Sequence, residues 1–228
     1  QIGLHHLPLP GHPDERDLLV VQGALQLRGE HARDTQRRAT LDAHLLERLG
    51  HFEQRRAIAE DVLEVAADAV DRDRERVFED LLAIVAHGWT RSREQHRDLG
   101  IALAEAGVVA VIPDLPNVVN LWGNGSAIVD LARQLEAGAL GLPPVLPPSL
   151  VLVGTSAGGL ATVLAATKLP GIAGWIGLDP VDRMGTGIYA ASSLEVPAIV
   201  LFGDAFACNR AGSARTFARS LPRLVRAK

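Results

Sequence analysis

Gly154-Thr155-Ser156-Ala157-Gly158 is the stretch whose residue types and spacing could do chemistry. A serine hydroxyl is a poor nucleophile at neutral pH, so it must be presented sharply, given a base, and set beside donors that stabilise a developing oxyanion. The apolar run from Leu150 to Val153 passes abruptly through GxSxG into an alanine-rich segment reaching Lys168, the pattern of a strand, a tight turn and a helix that presents a serine. Gly154 and Gly158 permit the close backbone approach that such a turn needs. The helix that follows aims its free N–H groups and positive end at the serine, which makes the Ala157 N–H an oxyanion donor. The same residues also read as a glycine-rich turn that binds a phosphate or carries nothing, so context must decide.

The elements that would position Ser156 begin near residue 81. Leu81 to Ala86 is a short apolar run ending in His87-Gly88-Trp89-Thr90, followed by a helix over 93–106 with Leu99, Leu103 and Ala106 on one side. Val108 to Ile112 is the next strand, and Gly125 to Glu136 the next helix. A proline-rich link at 143–148 then leads to the strand that delivers Ser156. Beyond it, Ile172 to Leu178 and Val196 to Phe202 read as strands and 211–221 as a helix. Continuous apolar strands alternating with amphipathic helices predict an α/β fold, a mostly parallel sheet flanked by helices, with ligand chemistry at the carboxyl ends of the strands.

Residues 1–76 read differently and are expected to be an N-terminal extension of loop and helices, with the core at 77–228. The prolines at 8, 10 and 13 suit a loop or extended tail over 1–14. Leu18 to Val21 and Ala24 to Leu27 suit two short strands, and Arg28 to Thr40 a solvated connection. Leu41, Leu45, Leu46 and Leu49 before Gly50 predict one helix with a glycine stop, and Ile58, Val62, Val65, Ala66 and Ala69 predict a second. The charged run Asp71 to Arg76 marks a boundary.

Composition narrows the partners. A net charge of −4 and a pI near 6.1 give no electrostatic case for nucleic acid or an anionic membrane. The single cysteine, Cys208, excludes an internal disulfide, and no His/Cys cluster has metal-ligand spacing, so no metal or cofactor is expected. His5, His6 and His12 suit a solvated tail. No apolar run is long enough to span a membrane, and the chain opens at Gln1 without a basic-then-apolar leader, which favours a cytoplasmic place and a processed or incomplete start.

From about Leu81 to Arg226 the chain resembles the α/β-hydrolase superfamily. The likeness rests on His87-Gly88-Trp89, on Gly154 to Gly158, and on Gly177-Leu178-Asp179-Pro180-Val181-Asp182, in this order. GLDPVD with Ala207-Cys208-Asn209 looks most like the chlorophyllase-like esterase branch, which neighbours polyester hydrolases and dienelactone-hydrolase-like enzymes. The resemblance implies that Ser156 attacks the carbonyl of a small-molecule or polymeric ester and forms an acyl-enzyme. It implies a second oxyanion donor in the backbone N–H of Trp89, with His87 and Gly88 as supporting residues of that loop. The Trp89 side chain is either an aromatic wall for the acyl group or a packing residue. Asp179 matches the family's acid position, while Asp204 at the next strand end is a competitor and Asp182 could orient the loop or cap the next segment.

The base departs from the pattern. In this family the order is serine, acid, histidine, yet all eight histidines here lie at or before His96. His96 is expected on the solvated or loop-facing side of its helix. The ending Leu224 to Lys228 reads as the start of another strand, so the fold is expected to be incomplete at the C-terminus and atypical at the N-terminus. Function reads as a serine carboxylic-ester hydrolase. The alternative is a non-catalytic, degenerate or truncated relative that binds rather than cleaves, and a weaker third is an acyltransferase using the same serine. Gly123-Asn124-Gly125 either shapes the pocket or simply starts a helix.

Overall fold

Eight strands line up in one sheet in the order β1-β2-β4-β3-β5-β6-β7-β8 in a computed structural model that describes residues 2–8, 17–23, 43–69, 81–117, 119–138, 144 and 149–227. The strands are β1 (Ile2–Pro8), β2 (Asp17–Gly23), β3 (Leu82–Ala86), β4 (Val109–Pro113), β5 (Leu150–Thr155), β6 (Gly174–Leu178), β7 (Ala198–Leu201) and β8 (Leu224–Ala227). β1, β2 and β4 pair antiparallel, and every other pairing, from β4–β3 to β7–β8, is parallel. The expected α/β class with a mostly parallel, helix-flanked sheet is therefore the architecture.

Side chains alternate between two cores because successive strand residues face opposite sides of a sheet. Leu82, Ile84, Leu152, Trp175 and Val200 face α3 (Leu121–Glu136), α4 (Ala157–Ala166), α5 (Thr186–Ser192) and α6 (Ala214–Ser220). Ala83, Val85, Val151, Val153 and Ile176 face α1 (Ala43–Ala69) and α2 (Arg97–Glu105). Coverage on both faces explains why β3 and β5 are apolar runs rather than alternating ones.

Two expectations for the N-terminal region are corrected. Ile2–Pro8 is a strand, not a tail, and its terminal proline is tolerated because β1 is an edge strand and needs no donor there. Residues 43–69 form one helix through Gly50 instead of two. A glycine inside a helix costs only about 1 kcal/mol, and α1 is held by packing: Ile58, Val62, Val65 and Ala66 are buried against the sheet, and Gly174 leaves the place that Val65 fills. The described parts of residues 1–76 thus share the sheet and a core with residues 81–227. The expected strand at Ala24 to Leu27, the connection at 28–40, the charged run at 71–76 and nearly all of the proline-rich link lie outside the described residues.

Downstream, α3 begins at Leu121, four residues before the expected start, because Asn120 accepts a hydrogen bond from the Gly123 N–H at 3.0 Å and caps it. Among the described residues no helix is long and apolar enough to cross a membrane.

Candidate active site

Ser156 sits on the single-residue turn between β5 and α4 with φ 53° and ψ −116°. This is a conformation that side-chain-bearing residues rarely adopt, at a cost of roughly 1–3 kcal/mol. The surroundings over-determine it. The Ser156 N–H donates to Leu178 O at 2.9 Å, and Ser156 O accepts from the Val181 N–H at 3.2 Å. A Cβ on Gly154 would collide with the Gly158 carbonyl and the Thr162 hydroxyl, and one on Gly158 with the carbonyls of Ala86 and His87. Both glycines of GxSxG are therefore required by contact.

Two loops bring donors to this turn. Gly88 packs directly on the serine, since a Cβ there would stand 3.4 Å from Ser156 Cβ. The His87 ring accepts from the Leu115 N–H at Nε2 (2.9 Å), which leaves Nδ1–H to donate to Gly88 O (2.8 Å). His87 thus ties the loop after β3 to the loop after β4, a supporting role that occupies both ring nitrogens. Neither the Trp89 N–H nor the Ala157 N–H has a hydrogen-bond partner among the described residues. Both residues border an open cleft, completed by Leu115, Asn117, Leu121 and Asn124. The Trp89 side chain is exposed at the rim of this cleft and is not packed into either core.

The three candidate acids separate by their partners. Thr155 pairs with Leu178 in the sheet, so Ser156 and Asp179 leave adjacent strands side by side. Asp179 has φ 47°, and its N–H donates to Leu201 O at 2.6 Å. Its Oδ2 accepts from Asn209 Nδ2 at 3.1 Å, and Oδ1 is buried with no hydrogen-bond partner among the described residues. Asp182 accepts from the backbone N–H groups of Gly185, Gly187 and Ile188 at 2.6, 2.7 and 3.2 Å, so it caps α5. Asp204 is exposed, and it is its main-chain oxygen that receives Asn209 Nδ2.

His96 differs from its expected place. It is buried in a 3-10 turn over Arg93–His96, where three-residue periodicity turns it toward β5, and its Nε2 lies 2.9 Å from Thr155 Oγ1. Burial, followed by the charges of His87, Arg91 and Arg55, lowers its pKa from 6.5 to about 4. The ring is neutral near pH 7. Among the described residues no histidine hydrogen-bonds to Ser156 or Asp179.

Asn209 and Asn124 carry more of the site than their sequence context announced. Buried Asn209 accepts from the Phe206 and Gly212 N–H groups at 2.9 and 3.0 Å while donating to Asp179. Buried Asn124 clamps the backbone of Asn117 through two bonds of 2.9 and 2.8 Å. Gly123-Asn124-Gly125 lies in the first turns of α3 rather than at its start, and Asn124 lines the cleft. Short polar residues in loops gave no signal of partners this far away along the chain. No family model matches the chain, and no curated protein matches it. Among the described residues, no group of three or more His, Cys, Asp or Glu could hold a metal ion.

Proposed function

We propose that this chain is a serine carboxylic-ester hydrolase of α/β-hydrolase fold, related to the chlorophyllase-like esterases. The observation that carries the reading is the strained Ser156 backbone beside two unpaired N–H groups, those of Ala157 and Trp89. Strain of this kind persists only where the surroundings enforce it, and here it falls on a serine in a turn flanked by donors suited to an oxyanion. The strand order, with β2 antiparallel and the serine after β5, supports the fold assignment.

In this mechanism Ser156 Oγ gives its proton to a base and attacks the ester carbonyl. The tetrahedral oxyanion takes hydrogen bonds from the Ala157 and Trp89 N–H groups, and its collapse expels the alcohol, which leaves with that proton. Water then repeats the sequence on the acyl-enzyme and frees the acid. Asp179, one oxygen held by Asn209 and the other buried and unpaired, is suited to receive the N–H of an imidazole and to stabilise its charged form. The reaction asks nothing of a metal or cofactor. Its substrate is a small-molecule or polymeric ester.

A second reading is favoured by one observation. His87 spends both nitrogens on backbone groups, and His96 is buried against Thr155, so neither serves Ser156. An α/β-hydrolase-like protein that binds an ester without cleaving it fits that arrangement. Fluorophosphonate labelling followed by peptide mass mapping separates the two. An adduct on Ser156 that is absent from Ser156→Ala supports the hydrolase; no adduct on the parent chain supports the binding protein.

A further inference from the structure

The cleft beside Ser156 carries a cation that no described residue neutralises. Arg91, on the loop after β3, borders the cleft and has no ion pair or side-chain hydrogen bond among the described residues. Its neighbour in sequence, Arg93, is by contrast paired with Asp114. Among the described residues no aspartate or glutamate lines the cleft, and His87 is committed to Leu115 and Gly88. From the loop after β4, Asn117 borders the same space, and its side chain has no hydrogen-bond partner among the described residues. The charge of Arg91 also helps to disfavour the protonated form of His96 nearby, after burial and His87.

The guanidinium of exposed Arg91 and the amide of Asn117, two residues that line one cleft, are donors without acceptors among the described residues. A carboxylate supplies the missing charge and lone pairs, and its planar geometry matches the guanidinium fork. A phosphate dianion would meet only one positive charge and one neutral donor. Trp89, Leu115 and Leu121 line the same cleft and suit a short hydrocarbon linker.

We propose that Arg91, assisted by Asn117, selects esters that carry a free carboxylate, such as half-esters of dicarboxylic acids, at the cleft beside Ser156. The proposal rests on the reading of Ser156 as an ester-cleaving serine for its meaning, but the recognition itself needs no catalysis. It is tested by equilibrium titration of the full chain with monomethyl glutarate and with dimethyl glutarate at neutral pH, followed by tryptophan emission, since Trp89 borders the cleft.

The half-ester is expected to bind about fivefold more tightly than the diester, the upper range for an exposed ion pair. Raising the salt from about 20 mM to about 500 mM should erase that preference without any substitution. Arg91→Gln should abolish it, and Arg91→Lys should retain part of it. Equal binding of the two probes, no binding of either, or a preference that survives in Arg91→Gln overturns the proposal. Ser156→Ala should leave the preference intact. A preference observed together with no phosphonate adduct on the parent chain would defeat the hydrolase reading alone.

Discussion

Asn209 Nδ2 donates to one carboxylate oxygen of Asp179 across 3.1 Å, and the other oxygen of that carboxylate is buried and unpaired. The asymmetry fixes the side chain while leaving one acceptor ready. Asn209→Ala removes the orienting bond and strands the Phe206 and Gly212 N–H groups, so it should destabilise the fold by about 2–3 kcal/mol in urea unfolding. A change below about 0.5 kcal/mol would show that Asn209 orients nothing.

The unpaired Oδ1 of Asp179 should accept an imidazole supplied from solution. Added imidazole is expected to raise 4-nitrophenyl acetate cleavage by the parent chain above the rate of imidazole alone, by roughly tenfold or more for a positioned base. Neither Ser156→Ala nor Asp179→Asn should show that excess. An equal excess in both variants would mean the rescue occurs elsewhere.

Strain at Ser156 should be measurable as stability. Ser156→Gly relieves a roughly 1–3 kcal/mol backbone penalty, partly offset by the greater unfolded freedom of glycine. A net gain of about 1 kcal/mol is expected, seen as a higher melting temperature, whereas Ser156→Ala should gain nothing because alanine keeps the Cβ. Equal melting temperatures for the two variants would argue against strain at this φ of 53°.

His96 should make stability depend on pH. Its folded pKa of about 4 lies below the unfolded 6.5, so the unfolded chain binds more protons between these values. Stability is fully present above about pH 6.5 and is lost as pH falls toward about 4, by up to about 3 kcal/mol at the low end. Unfolding curves at several pH values should show this slope in the parent and a flatter one in His96→Gln, which keeps a donor for Thr155 but does not titrate. Parallel slopes would place the proton uptake on other groups.

Arg226 ties β8 to α1. It pairs with Asp61 at 3.2 Å and Glu64 at 2.6 Å on α1, and Asp61 is only 1% exposed. Arg226→Ala should cost about 2–4 kcal/mol by leaving a buried carboxylate undercompensated. Adding Asp61→Asn should restore part of the loss, and additive losses in the double variant would show the two are not coupled.

Much of the core was legible along the chain because its signals are local. Apolar runs such as Leu82–Ala86 and Leu150–Thr155 are continuous because both sheet faces are covered, and GxSxG ends one of them abruptly. The errors came where local rules meet tertiary packing. Gly50 looks like a stop, yet α1 runs through it; Pro8 looks like loop, yet it ends an edge strand. His96 falls in the expected helix, but a 3-10 turn buries it against Thr155.

The sequence by itself determined the α/β class and the position of Ser156 between a strand and a helix, because both follow from periodicity and from glycines that only a tight turn requires. Only the tertiary structure separated the three aspartates. Asp182 turned to cap α5, Asp204 lay exposed, and Asp179 stood beside the serine with Asn209 on one oxygen. A carboxylate's chemical role depends on which donors the folded chain brings to it, and those donors lie as far as 30 residues away in the chain.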